Sequence, residues 1–272
     1  MSEKARPGRV PTTARPAAFF DLDKTIIATS SSQAFSKPFI AGGLIKHADV
    51  LRSAYAHFLF LIGNADEDQT ERMREHLSSL VRGWDVRKVR EIVEETVHEL
   101  IDPYVYAEAI ELIEDHHALG HDVVVVSASG AEVVEPIAAV LGADHVLATR
   151  MEVADDHYTG EIDFYNYGEN KAAGIRGLAA REGYDLAASY AYSDSITDAP
   201  MLGAVGHAFV VNPDRALRRR AAESGWGALR FSRPVALKPR VEPLPTAAVV
   251  GAVAIAVAAF FVVRHYRRRR RA

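Results

Sequence analysis

The sequence predicts an α/β protein: a three-layer α/β/α core with a mainly parallel sheet, an inserted helical cap and a C-terminal transmembrane helix. Three observations carry this reading. Short apolar runs ending in polar or acidic residues alternate with segments of helical spacing. Between the first two runs, residues 33–103 show helical spacing only. Near the C-terminus, an uncharged apolar segment follows a proline-rich linker.

The first run, Ala17-Ala-Phe-Phe-Asp-Leu-Asp23, is apolar and ends in acids, as a buried strand does when its C-terminal end meets a site. The second, His121-Asp-Val-Val-Val-Val-Ser127, sets four valines in a row, which suits a central parallel strand covered on both faces. Gly120 precedes it and closes a helix over residues 104–119. A helix over 131–141 ends at Gly142, and a short strand follows at 145–149. Residues 151–164 alternate around Tyr158-Thr-Gly160, which predicts a small hairpin. A helix over 171–182, strands over 189–193 and 207–211, and a helix over 214–223 complete the alternation.

Residues 33–103 hold no convincing strand. Val50–Ile62, Asp68–Val81 and Val86–Leu100 space their apolar residues helically, and Asp85 is placed to cap the last of them. An insertion of this length predicts a helical cap over 33–103, leaving 17–32 and 104–232 as the core. Ordinary layer helices are the alternative. Residues 1–16 carry four basic side chains and three prolines but no apolar segment, so they read as a disordered leader and not as a secretory signal. Residues 233–245 form a linker with Pro234, Pro239, Pro243 and Pro245. Residues 246–263 contain no charge and reach the lower end of the length that crosses ~30 Å of hydrocarbon. A basic tail, 264–272, follows.

The absence of cysteine excludes a disulfide framework, a thiol nucleophile and a cysteine zinc site. The formal charge of −4 conceals an asymmetry: of 32 basic residues, six are the arginines at 264 and 267–271. The rest of the chain therefore carries a net of −10. An acidic body argues against nucleic acid as a partner, because that binding rests on neutralising phosphates.

Four stretches carry chemistry. In Asp21-Leu-Asp-Lys-Thr25 the two acids share one side of a strand, and the following turn can aim both carboxylates into one cleft. Such a pair is tolerable beside a divalent cation, and can divide nucleophilic attack from proton transfer. Alone, it fits a solvated turn with a helix cap as well. Ser127-Ala-Ser-Gly130 ends the valine strand, where a hydroxyl and backbone N–H groups make a phosphate cradle or simply cap the next helix. Lys171 stands at a helix start, where it opposes the helix dipole but would suit a phosphate and a carboxylate; a surface lysine is the alternative. In Ser193-Asp-Ser-Ile-Thr-Asp198, Asp194 sits where a strand end would present a metal ligand, and Asp198 where it could orient that ligand; both could be simple cap acids. What separates the readings is the joint order. All four stretches fall at strand ends or helix starts, which share one edge of a parallel sheet.

This set resembles the haloacid dehalogenase-like superfamily. Asp21-Leu-Asp-Lys-Thr25 looks like its Asp-x-Asp-x-Thr motif, Ser127 matches the second motif, Lys171 the third, and Asp194 with Asp198 the fourth. A helical insertion after the first motif is similar to the phosphoserine phosphatase-like branch. The resemblance covers residues 17–225 and implies a Rossmann-like core and a phosphatase. It implies Asp21 as nucleophile, forming an aspartyl-phosphate, and Asp23 as the acid that protonates the leaving alcohol and then activates water. It implies phosphate binding by Thr25, Ser127, Ala128 and Lys171. It implies Mg2+ held by Asp21, the Asp23 carbonyl and Asp194, with Ser195 and Asp198 supporting. Two departures stand out. The stretch Ile26-Ile-Ala-Thr-Ser-Ser-Ser-Gln33 lacks the glutamate that serine phosphatases use for the substrate ammonium, which speaks against phosphoserine. The fourth motif has serine and threonine where the family often has glycine and asparagine.

The expected substrate is therefore a phosphorylated small molecule or lipid. Anchoring through 246–263 places the catalytic domain on the cytoplasmic face, since no export signal precedes it, although the arginine tail pulls the other way under the positive-inside rule. Phosphoryl transfer to an alcohol, or a non-catalytic membrane-bound interaction protein, are the alternatives. The second would show a missing motif residue, and none is missing.

Overall fold

In the computed structural model, residues 14–45 and 81–234 are described. Among these residues seven strands form one sheet: β1 (Ala17–Asp21), β2 (Asp122–Gly130), β3 (His145–Ala154), β4 (His157–Phe164), β5 (Tyr190–Ser193), β6 (His207–Val211) and β7 (Gly227–Leu229). Their order is β4-β3-β2-β1-β5-β6-β7, and every pair is parallel except β3 with β4. The chain builds outward from β1 to β4 on one side, then returns to place β5 on the other. The ends of β1 and β5 thus flank a switch point, where open α/β sheets form their clefts.

The helices explain why the sheet is apolar on both faces. α1 (Ser31–Ala34) and α2 (Ser36–Ala41) follow β1, and α3 (Val86–Ile101) precedes a 3-10 turn at Asp102–Tyr104. α4 (Ala107–Ala118), α5 (Ala131–Leu141), α6 (Glu169–Glu182), α7 (Ala199–Leu202) and α8 (Arg215–Ser224) complete the described set. Side chains of β1 alternate: Ala18 and Phe20 enter one core cluster, Ala17 and Phe19 the other. The valines of β2 divide the same way, Val123 and Val125 opposite Val124 and Val126. Fully burying each phenylalanine contributes about 1.5–3 kcal/mol. Asp85 caps α3 by accepting from the N–H groups of Arg87 and Lys88, and Val89, Val93 and Val97 form its buried stripe.

Several expectations need correction. The hairpin turns at Asp155-Asp156, both at positive φ (50° and 62°), and not around Tyr158-Thr-Gly160. Tight hairpin turns demand that conformation, and Asp tolerates it better than most residues. The short strand at 145–149 and the hairpin's first arm are one ten-residue strand, β3. The leader 1–16 overlaps the fold: Arg15 pairs with Asp122 through both guanidinium nitrogens. β7 has no strong local signal; its three residues pair with β6.

The cap expected over 33–103 is described only at its two ends, since residues 46–80 lie outside the described part. The two connections to it run side by side. Ala28 N donates to Tyr104 O and Tyr106 N to Ile26 O, at 2.7 and 3.0 Å. Among the described residues no helix is long and apolar enough to cross a membrane. The span predicted at 246–263 lies outside the described residues.

Candidate active site

Asp21 is buried at the C-terminal end of β1. Lys171, in the first turn of α6, reaches it from the neighbouring layer. Its Nζ donates to Asp21 Oδ1 at 2.7 Å and to Asp198 Oδ2 at 2.8 Å. All three side chains are at most 9% exposed. A lysine at a helix N-terminus opposes the dipole, and the two carboxylates compensate it. Burial works against the ammonium, but the charges of Asp21 and Asp198 outweigh it and raise its pKa. Asp198 also accepts from Ser193 Oγ at 2.7 Å, which sets the orientation of its carboxyl.

Thr25 Oγ1 donates to Asp21 Oδ2 at 3.2 Å and stands 3.5 Å from Asp194 Oδ1, so one hydroxyl spans two carboxylates. The loop between them turns through Lys24 at a φ of 62°. Burial raises the pKa of Asp21 well above its ordinary value, Lys171 opposes this, and Asp198 and Asp194 add to it. Asp194 is pushed up to about 6, chiefly by burial, against Lys24 and with Asp198. Asp23 is raised by burial and drawn back by hydrogen bonds from Ser31.

Four buried or half-buried carboxylates thus face one buried ammonium, with Lys24 acting on Asp194. Surplus negative charge among hard oxygen donors fits a small divalent cation. Among the described residues no group of three or more His, Asp or Glu side chains is arranged to hold a metal ion. The available set is the carboxylates of Asp21 and Asp194 beside the Asp23 segment. Magnesium takes such partial sets, completing its shell with water and substrate oxygens.

Ser127 and Ala128 stand on the neighbouring strand end and join the cluster through Ser129. The Ser129 N–H donates to Ser127 Oγ at 3.1 Å, and Ser129 Oγ donates to Asp23 Oδ2 at 3.4 Å. The turn is tied from β3 and the loop before α6. Asn166 Nδ2 donates to Ser127 O at 3.0 Å, and Thr149 Oγ1 to Ala128 O at 2.7 Å. Ser195 stays out of the carboxylate cluster and caps the 3-10 turn at Ile196–Asp198, accepting from Thr197 N at 3.4 Å. The structure therefore brings Asp21, Thr25, Lys171, Asp194 and Asp198 into one network, with Asp23 and Ser127 beside it.

Sequence reasoning missed Ser31, Ser193, Thr149 and Asn166. Ser31 and Ser193 lie within stretches already singled out, but their partners do not show in spacing. Asn166 carries no local signal; it is fully buried and acts on carbonyls far away in the chain.

The family model of haloacid dehalogenase-like hydrolases matches residues 18–203. A Streptomyces azureus protein named for inhibition of morphological differentiation is 59% identical over 262 residues, spanning 94% of this chain and 95% of its own. A Mycobacterium tuberculosis protein described as a probable phosphatase is 60% identical over 248 residues, 91% of this chain and 86% of its own. A phosphoserine phosphatase of M. tuberculosis is 34% identical over 245 residues, 89% of this chain and 79% of its own.

Proposed function

The chain belongs to the haloacid dehalogenase-like hydrolase family, and from that premise we propose that it hydrolyses phosphate monoesters through an aspartyl-phosphate on Asp21. The observation that carries this is the buried contact of Lys171 with Asp21 and Asp198, with Thr25 spanning Asp21 and Asp194. A carboxylate held by an ammonium and a hydroxyl is oriented for attack and cannot swing away.

In this reading an Asp21 carboxylate oxygen attacks phosphorus. The bond from phosphorus to the ester oxygen breaks, and Asp23 gives its proton to the departing alcohol. Water then loses a proton to Asp23 and attacks the same phosphorus, which frees phosphate and restores Asp21. Lys171 offsets charge on the phosphoryl oxygens, and Ser127 with the Ala128 N–H binds them. Asp21, the Asp23 carbonyl and Asp194 would hold Mg2+, which when bound supplies Lewis-acid stabilisation of the transferring group.

We infer a substrate without an ammonium beside its phosphate, because the stretch from Ile26 to Gln33 contains no acid to receive one. A phosphorylated small molecule or a lipid-linked phosphate fits this. Tyr55, Phe58 and Phe60 of the expected cap, whose aromatic side chains suit either a lipid-linked substrate or the cap's own core, lie outside the described residues. Anchoring through 246–263 rests on that segment's uncharged composition. Its test is alkaline carbonate extraction of membranes: the full chain stays in the pellet, and a chain ending at residue 245 is released.

The activity is tested by phosphate release from a panel holding phosphoserine, phosphocholine and lysophosphatidate, with Asp21→Asn as control. Release should vanish in the variant. Unchanged release by Asp21→Asn would falsify the mechanism.

A further inference from the structure

We propose that Ser31 and Ser129 are a pair of positioning residues that fix the Asp23 carboxyl for proton transfer to the leaving group. The proposal rests on the reading of Asp23 as the acid of the first step. Ser31 is fully buried in the first turn of α1. Its N–H donates to Asp23 Oδ1 at 2.9 Å, and its Oγ donates to Asp23 Oδ2 at 3.2 Å. Ser129 arrives from the end of β2 and donates to the same Oδ2 at 3.4 Å. The two hydroxyl oxygens are 2.9 Å apart. Both oxygens of the carboxyl are therefore held, and the holding groups come from two separate elements.

The choice of hydroxyls has a chemical consequence. A serine O–H both donates and accepts, whereas lysine and arginine only donate. The Ser31–Ser129 pair can keep a partner on Asp23 when it carries the proton and when it has given it up. A cationic partner would favour the ionised carboxylate and so weaken Asp23 as the acid of this step. In the first step the Asp23 O–H bond breaks, the alcohol O–H bond forms, the ester P–O bond breaks and the bond from Asp21 to phosphorus forms. A carboxyl free to rotate would lose the alignment this needs. Ser129 also donates its N–H to Ser127 Oγ, so the same residue couples the acid to the phosphate-binding turn.

The test compares kcat/KM on two esters, because this ratio reads the reaction only up to its first irreversible step. β-Glycerol phosphate has an alkoxide leaving group that needs a proton. p-Nitrophenyl phosphate has a stabilised phenolate that leaves without one. Ser31→Ala and Ser129→Ala should each lower kcat/KM for the alkyl ester by about 10- to 100-fold, within the range of acid catalysis. For the aryl ester they should lower it by less than about 3-fold, and Ser31→Thr, which keeps the hydroxyl, should restore the alkyl rate to within a similar factor. The double alanine variant should add little to either single one, as expected for groups acting as a unit. Equal losses on both esters, or no loss on either, would overturn the proposal. Asp21→Asn separates this from failure of the underlying mechanism: it must abolish both activities. If it spares them, the mechanism itself is wrong.

Discussion

Asp122 opens β2 at one edge of the sheet, and Asp21 closes β1 at the other. Asp122 accepts from both terminal nitrogens of Arg15 at 2.5 and 2.6 Å and from the Tyr184 hydroxyl, while His145 stands 3.7 Å away. Asp21 shares the single ammonium of Lys171 with Asp198 and lies within the field of Asp194. At the first edge, donors surround one acid. At the second, acids outnumber the cations that serve them. The first arrangement closes the fold; the second leaves acids in excess of cations among the described residues. Two ends of adjacent strands, built from the same residue types, thus separate stability from chemistry.

Lys171 is where the two roles meet, so its loss should have the largest effect. Lys171→Met should reduce phosphate release by about 10²–10³-fold, the range for a group that stabilises developing charge. It should also lower stability by on the order of 3–5 kcal/mol, because Asp21 and Asp198 lose their counter-charge in a buried site. Urea unfolding and a phosphate-release assay on one preparation measure both. A stable, active variant would erase the distinction between the edges.

Neutralising one acid at each edge should change stability in opposite directions. Asp122→Asn should cost about 1–3 kcal/mol, since charge-assisted hydrogen bonds are lost, and should leave kcat unchanged. Asp194→Asn should abolish activity yet raise the stability of the metal-free protein by about 1 kcal/mol, as relief of a strained functional site commonly does. Thermal unfolding in the presence of a chelator decides this. The same sign for both substitutions would mean that the catalytic edge holds no surplus charge.

Magnesium should then stabilise in a pH-dependent way. The pKa of Asp194 rises from the ordinary 3.8 to about 6 in the folded state. The folded protein therefore keeps a proton that the unfolded chain has lost, and metal-free stability falls as pH rises through that window. Metal binds the deprotonated form, so its stabilising effect should grow over the same window. The rise in Tm on adding magnesium should be larger at about pH 7.5 than at about pH 5. Asp194→Asn should remove most of that difference. An equal rise at both pH values would place the cation elsewhere.

How much of this is legible in sequence depends on whether a feature is local. β1 and β2 declare themselves because strands buried on both faces must be apolar throughout, and α3 because Asp85 caps a valine stripe. The four motif stretches are visible because each closes an element, and the sheet's parallel pairing brings those ends to one edge. The rest depends on distant partners. Asn166 is an ordinary polar residue until it meets the carbonyls of Ser127 and Leu147. Ser31 sits among three serines with nothing local to single it out, and only the path of the chain brings it to Asp23. The hairpin turn is hidden for a different reason: Tyr158-Thr-Gly160 offers a glycine, while the turn uses two aspartates at positive φ.

The smallest effect is expected towards the stabilising edge, at His116 on α4. Its Nε2 is 2.8 Å from the Tyr192 hydroxyl, and its Nδ1 is 3.0 Å from Nδ1 of His121. Burial, and then the neighbouring charge of His121, lower its pKa from 6.5 to about 4. The folded state therefore holds a neutral imidazole where the unfolded chain takes up a proton. Its contribution is fully present above about pH 6.5 and is lost as pH falls towards 4. His116→Gln can keep a hydrogen bond to Tyr192 but cannot titrate there. The variant should show a shallower fall in urea midpoint between pH 6.5 and 4, the remaining slope combining His121, whose pKa burial also lowers, with the opposing contribution of Asp194. Its phosphate release at neutral pH should match that of the unmodified chain. A slope equal to that of the unmodified chain would show that His116 does not set the acid limit of this edge. A change in activity would show that the two edges are coupled through β5, which carries Tyr192 in its body and Asp194 just beyond its end.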